Sequence, residues 1–194
     1  MDKQLVLASG SPRRKELLSH LGVDFIVRVP EINESVQKGE LADRYVQRIA
    51  SAKAAAVDGE VVLGADTCVV LNGKIYGKPV DLEHAKTMLR ELSGEVHQVV
   101  TGVSVRFRDQ LLVALARTRV EFVSLDQHLI DWYLGLGESS DKAGAYALQG
   151  AGSGLVKAID GSPSNVIGLP LAETADLLTE AGVELRPSAG SNRP

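Results

Sequence analysis

The stretch Leu5-Val6-Leu7-Ala8-Ser9-Gly10-Ser11-Pro12-Arg13-Arg14-Lys15-Glu16-Leu17-Leu18 passes from an apolar run to a helical pattern within a few residues. Leu5 to Ala8 read as the end of a buried strand. Ser11 suits the N-cap of the following helix and Pro12 its first turn, because a serine hydroxyl accepts from a free helical N–H and proline lacks one. From Arg14 the spacing Arg14, Leu17, Leu18, Leu21 follows i, i+3, i+4, i+7. Arg14 therefore begins the stripe that faces the core, and that face is expected to open into a cleft. Two arginines at the positive end of a helix are unfavourable unless an anion joins them. A solvated helix start is the plainer explanation of this motif taken alone; a polyphosphate site is the sharper one.

Working outward, strand-like and helix-like segments alternate, as expected where helices cover a central sheet. Residues 24 to 29 read as a second strand and 41 to 56 as a helix, with Leu41, Tyr45, Ile49, Ala52 and Ala56 at helical spacing. Val61 to Ala65 reads as a short buried strand that delivers Asp66 and Thr67 at its C-terminal end. Asn72-Gly73 predicts a tight hairpin turn. Asp81 suits the cap of a helix ending near Leu92, residues 96 to 107 and 111 to 125 read as an antiparallel pair, and a helix is expected near 127 to 134. A glycine-rich stretch from 135 to 168 precedes a last helix near 170 to 181. The expected domain is 1–185, followed by a flexible tail at 186–194.

The chain has 194 residues, 44% hydrophobic and 24% charged, enough for one α/β domain or two small lobes sharing a cleft. A net charge of -4 argues against a general nucleic-acid binder, so any anion site must be local. One cysteine, Cys68, excludes an intramolecular disulfide framework. No apolar run approaches membrane-spanning length and the start lacks a signal-peptide pattern, which predicts a cytoplasmic protein with no membrane partner.

Several residues carry possible chemistry. Asp66 follows a buried strand, and in open α/β sheets ligands bind outside such ends; capping a turn is its plainer use. Glu34, in the polar loop Pro30-Glu31-Ile32-Asn33-Glu34, is a second candidate carboxylate. Lys78 is held extended by Pro79. Lys53 lies late in its helix, where the dipole already favours a cation. Gln149 sits among glycines that allow close backbone approach, and its amide both donates and accepts. Cys68 lies within an apolar run and reads as a small core residue rather than a nucleophile; His97 has no i+4 histidine or clustered cysteine for a zinc site; and Trp132, Tyr133 and Leu136 read as helix packing.

Taken together, the Ala8 to Leu18 run, Gly64-Ala65-Asp66-Thr67, Gly77-Lys78-Pro79, Ser93-Gly94 with His97 and Thr101-Gly102, and Asp141 to Pro170 closely resemble the Maf family of nucleotide pyrophosphatases, in order along nearly the whole chain. The resemblance implies an α/β fold similar to inosine triphosphate pyrophosphatases, a two-lobed mixed sheet flanked by helices with a central cleft, and often a homodimer. It implies hydrolysis of a nucleoside triphosphate between the α and β phosphates with a divalent metal, Mg²⁺ or Mn²⁺. By position, Asp66 matches the catalytic acid and Glu34 the acid linked to metal and water; Asp66 as base, as metal ligand, or as both are all left open. Arg13, Arg14, Lys53 and Lys78 match phosphate-binding cations, and Ser9 the first serine of the motif. Arg13, Thr67 and Gln149 fall where the family sets substrate preference, in a combination similar to the branch acting on dTTP and UTP, with modified pyrimidine nucleotides as further substrates. The runner-up enzyme reading is a house-cleaning pyrophosphatase for modified nucleotides, and a nucleotide-sensing or septum-regulating binding protein is the competing class.

Overall fold

In the computed structural model residues 3–185 are described, so the tail expected at 186–194 lies outside them. The strands form a seven-stranded mixed sheet with the order β2-β1-β3-β5-β6-β7, and β4 pairs with β3. This is the expected α/β class, with helices between the strands. The chain divides into two compact units: Met1–Asp66, Thr101–Ala116 and Gly168–Pro194 make one, and Thr67–Val100 with Arg117–Ile167 the other.

In the first unit, β1 (Leu5–Leu7) lies parallel to both β2 (Phe25–Val27) and the first half of β3 (Val61–Leu71), with Leu5 opposite Phe25 and Val61. All three residues of β1 are buried, which explains why it is apolar without alternation. Helices α1 (Pro12–Ser19) and α2 (Ala42–Ala55) make the two crossovers that parallel strands require. As expected, Ser11 caps α1 and Pro12 opens it. The buried stripe of α2 is Tyr45, Val46, Ile49, Ala50, Lys53 and Ala54. Leu41, Ala52 and Ala56 are outside it, so the helix is rotated from the expected phase and carries Lys53 into the interior. A Cβ on Gly64 would lie 2.3 Å from the Ala50 carbonyl oxygen, and one on Gly102 2.6 Å from that of Val46. The helix backbone rests on two glycines because no side chain fits beneath it.

In the second unit, β3 continues through a turn at Asn72 and Gly73, whose φ values of 49° and 80° suit the expected hairpin, into β4 (Lys74–Tyr76). Asp81 caps α3 (Leu82–Leu92) by accepting from the His84 N–H, and Asp126 caps α4 (Gln127–Gly135) through Leu129. Strands β5 (Val96–Phe107) and β6 (Gln110–Phe122) are the long neighbouring pair expected, with only residues 96–100 and 117–122 of them in this unit. Met88, Leu89, Leu92, Phe122, Ile130, Tyr133, Tyr146 and Leu155 belong to one hydrophobic core. After two short 3₁₀ turns come β7 (Val156–Asp160), antiparallel to β6, and α5 (Pro163–Ile167). α6 (Leu171–Glu180) returns the chain to the first unit.

Three expectations are corrected here. β3 does not end at Ala65 but runs on to Leu71, so Asp66 is a mid-strand residue. The glycine-rich stretch contains β7, whose half-exposed, partly polar sequence carries little strand signal. Tyr133 packs in the core, whereas Trp132 and Leu136 are 47% and 49% exposed.

Candidate active site

Asp66 sits one strand-repeat beyond Gly64, on the face that α2 covers. Its parallel neighbour β1 stops at Leu7, whose partner in β3 is Leu63, so Asp66 lies past the carboxyl end of the parallel ladder. The reason for expecting a ligand there therefore survives the longer strand. Lys53 reaches it from the buried stripe of α2, with Nζ donating to Asp66 Oδ1 at 2.8 Å. The same Nζ is 3.1 Å from Glu34 Oε2, so one ammonium bridges two carboxylates.

The two acids are held in different ways. Asp66 is 5% exposed and fixed by the sheet. Glu34 is on the surface loop before α2, where the Tyr45 hydroxyl donates to the Glu34 carbonyl at 3.1 Å. Asn33 Oδ1 accepts from the Ser35 N–H at 2.9 Å, so the residue beside Glu34 is engaged in shaping the loop. Arg48 forks onto both oxygens of Glu40 at 2.6 and 2.7 Å and donates to the Ser35 carbonyl, closing the loop against α2. Tyr45 and Arg48 are supporting residues that sequence reading missed. Tyr45 was legible only as a core position, and the Arg48 to Glu40 pair joins a helix to a loop of unspecified path.

At the start of α1 the Ser11 hydroxyl accepts from the Arg14 N–H at 3.4 Å, and the Ser11 N–H donates to Ser9 Oγ at 3.2 Å. Arg14 Nη1 donates to the same Ser9 oxygen at 3.4 Å and its Nε to the Gly168 carbonyl at 2.8 Å. Leu17 and Leu18 bury the stripe that Arg14 begins. Burial pushes the Arg14 guanidinium down from its usual value, while Asp66 and Glu34 pull it back up. An arginine stays charged under such a shift. Arg13 is near enough to add a repulsive contribution to Arg14.

Burial pushes the Asp66 carboxyl above its ordinary value; Lys53 and Arg14 oppose that shift and Glu34 adds to it. Asp66 Oδ2 is buried without a hydrogen-bond partner. A buried anionic oxygen left unpaired is costly, so an atom in this position suits a proton, a water or a cation. The first unit thus brings together Ser9, Arg14, Glu34, Lys53 and Asp66, with Arg13 alongside. Thr67 is the next residue of β3 and by strand alternation faces the other way; it is half-buried. Lys78 and Gln149 belong to the second unit, where both are exposed.

Among the described residues, no group of three or more His, Cys, Asp or Glu side chains is placed to hold a metal. Glu34 and Asp66 nevertheless fit Mg²⁺ or Mn²⁺ as a pair of hard oxygen donors with one oxygen unpartnered, because such ions take one or two carboxylates and complete their shell with water and phosphate. Cys68 is buried, as expected of a small core residue. No helix among the described residues is long and apolar enough to cross a membrane.

Residues 4–181 match the family described as Maf-like protein. A protein of Anaeromyxobacter dehalogenans named dTTP/UTP pyrophosphatase is 54% identical over 189 residues, which cover 95% of this chain and 97% of that one. Proteins of the same name from Myxococcus xanthus and Symbiobacterium thermophilum are 49% and 47% identical, covering 93% of this chain and 94% and 95% of theirs. A solved structure from Vibrio cholerae aligns at 9% identity and a TM-score of 0.34 over 70% of this chain and 71% of its own.

Proposed function

Since the chain belongs to the Maf family, we propose that it is a nucleoside triphosphate pyrophosphatase that hydrolyses dTTP and UTP between the α and β phosphates, giving the monophosphate and pyrophosphate. The observation that supports this reading best is the buried Asp66 carboxylate, paired with Lys53 through one oxygen and unpartnered at the other.

In this reading Asp66 accepts the proton of the attacking water at Oδ2. The water oxygen bonds to the α phosphorus, the bond from that phosphorus to the bridging oxygen breaks, and pyrophosphate leaves with the electron pair. Lys53 holds Asp66 in place and keeps its other oxygen occupied. Arg14, fixed by Ser9 and the Gly168 carbonyl, presents a preorganised cation to the phosphates. By their match to the family pattern, Arg13 and Lys78 are further phosphate-binding cations in this reading. Glu34 would hold a divalent cation, joined by Asp66 Oδ2 when that oxygen is not taking the proton, and the cation would neutralise phosphate charge and acidify water. Arg13, Thr67 and Gln149 set the base preference; the Gln149 amide can pair with the carbonyl and N–H of uracil or thymine, whose pattern cytosine reverses. Modified pyrimidine nucleotides are further substrates by the same logic. The enzyme works in the cytoplasm as a homodimer, with no nucleic-acid partner.

A screen of all nucleoside triphosphates with and without Mg²⁺ tests the reading. The expected result is pyrophosphate and monophosphate in equal amounts, fastest from dTTP and UTP and only with metal. Nucleotide binding without turnover would make the protein a sensor instead, and release of orthophosphate would place the cut at another bond.

A further inference from the structure

We propose that Glu138 is a positioning residue for base recognition: its carboxylate clamps the backbone beyond Gln149 and so fixes where the Gln149 amide meets the pyrimidine. The inference rests on reading Gln149 as the base-recognising residue.

Glu138 follows α4 and accepts from two successive N–H groups, Ala151 at 3.2 Å and Gly152 at 3.3 Å. These donors stand at the start of the 3₁₀ turn Gly150–Leu155, for which Gln149 is the N-cap. Gln149 itself makes no side-chain cap bond. On the other side, the Ala147 N–H donates to the buried Tyr133 hydroxyl at 3.0 Å. Gln149 is therefore held between two anchors, both belonging to α4 or its exit loop, while its side chain is exposed.

The local sequence is built around this clamp. Gly150 has a φ of +72°, and a Cβ there would lie 2.6 Å from Glu138 Oε1. A side chain at 150 would displace the carboxylate. A Cβ on Gly152 would lie 2.1 Å from the Ala147 carbonyl oxygen, so the two anchored ends of the loop are folded against each other. Hydrogen bonds from backbone N–H to a carboxylate are among the stronger ones, and two to one side chain define orientation as well as distance. An exposed amide on a glycine-rich loop would otherwise lose conformational entropy each time it bound a base; a preformed loop removes that cost.

The test compares Glu138→Ala, Gln149→Ala and the double variant, with kcat and KM for UTP and GTP referred to folded protein. In Glu138→Ala the ratio of kcat/KM for UTP over GTP should fall by about tenfold, below the 10²-fold or so that a misplacement on the order of 1 Å can cost. The loss should appear mainly as a higher KM for UTP. The double variant should be no less selective than Gln149→Ala, because both changes remove the same interaction. Glu138→Gln, which keeps one acceptor oxygen and nearly the same volume, should lose less selectivity, and it replaces the alanine variant if that one does not fold. If Gln149→Ala loses selectivity while both Glu138 variants keep it, or if they slow UTP and GTP alike, the clamp is overturned and the base reading stands. If Gln149→Ala itself keeps the wild-type ratio, the base reading fails and the proposed role of Glu138 falls with it.

Discussion

Lys53 and the two acids it touches carry opposite requirements. Asp66 must be ionised to take a proton, yet burial disfavours its charge, and Lys53 at 2.8 Å partly restores it. Asp66→Asn is close to isosteric and keeps an oxygen for Lys53, so the fold and nucleotide affinity should persist. Its kcat should drop by on the order of 10² to 10⁴, the usual share of a general base. Turnover near wild type, measured beside an equilibrium titration of nucleotide binding, would remove Asp66 from the chemistry. Glu34 is half-exposed and on a loop, so Glu34→Gln should leave thermal stability almost unchanged. It removes an anionic oxygen, and the Mg²⁺ concentration giving half-maximal activity should rise. A superimposable metal titration would exclude Glu34 as a ligand. The sequence made both carboxylates legible as candidates, because acids after buried strands and in polar loops stand out. For Lys53 its position offered only a dipole explanation and the family resemblance a phosphate-binding role; neither placed it between two carboxylates, since a lysine looks solvated until the phase of its helix is known.

That phase is set at the level of elements. The buried stripe of α2 contains Val46, Ala50 and Ala54, small or slim residues that let the helix lie close to the sheet, and Lys53 follows from the same rotation. Gly64 and Gly102 are the matching hollows. In Gly64→Ala the new methyl would meet the Ala50 carbonyl oxygen at 2.3 Å, backbone that cannot turn aside. Overpacking of this kind costs roughly 1–3 kcal/mol. For a chain of this size Tm should therefore fall by roughly 2–12 °C. Lifting α2 also draws Lys53 from Asp66, so kcat should fall further than the folded fraction explains. Calorimetry and turnover on the same sample check both; a wild-type Tm would mean that α2 does not depend on this contact. The extent of β3 and the existence of β7 were not legible, for a related reason. Asp66 and Thr67 interrupt an apolar run, and β7 is short and mixed; pairing with β4 and β6 makes them strands, and pairing is a property of the neighbour.

Over the whole molecule, stability should depend on pH through His97. This residue is 1% exposed, donates to or accepts from the Tyr146 hydroxyl at 2.8 Å, and meets Phe122 edge to face at 4.8 Å. Burial pushes its pKa from 6.5 to about 4. The folded protein holds the neutral ring where the unfolded chain takes a proton, so this contribution is complete above about pH 6.5 and is lost as pH falls toward 4. At 1.36 kcal/mol per pH unit the full loss is about 3 kcal/mol. Asp66 acts in the opposite sense: its raised pKa adds stability below its ordinary 3.8 and loses it as pH rises through the folded value. Melting the nucleotide-free protein between pH 7 and 4.5 should show a falling Tm, and His97→Phe, whatever its absolute stability, should flatten that fall. An equal slope in the variant would assign the acid sensitivity elsewhere. The alternation of strands and helices, the caps at Ser11 and Asp81, the Asn72-Gly73 turn and the family were all determined by the sequence alone, because each rests on residues close together in the chain or on motifs in a fixed order. Tertiary structure alone decided that Lys53 turns inward to bridge Glu34 and Asp66, that Asp66 stands mid-strand with an oxygen unpartnered, and that Glu138 grips the loop beyond Gln149. Those contacts join distant segments through the rotation of a helix and the path of a loop, and such quantities are set by packing, on which local periodicity is silent.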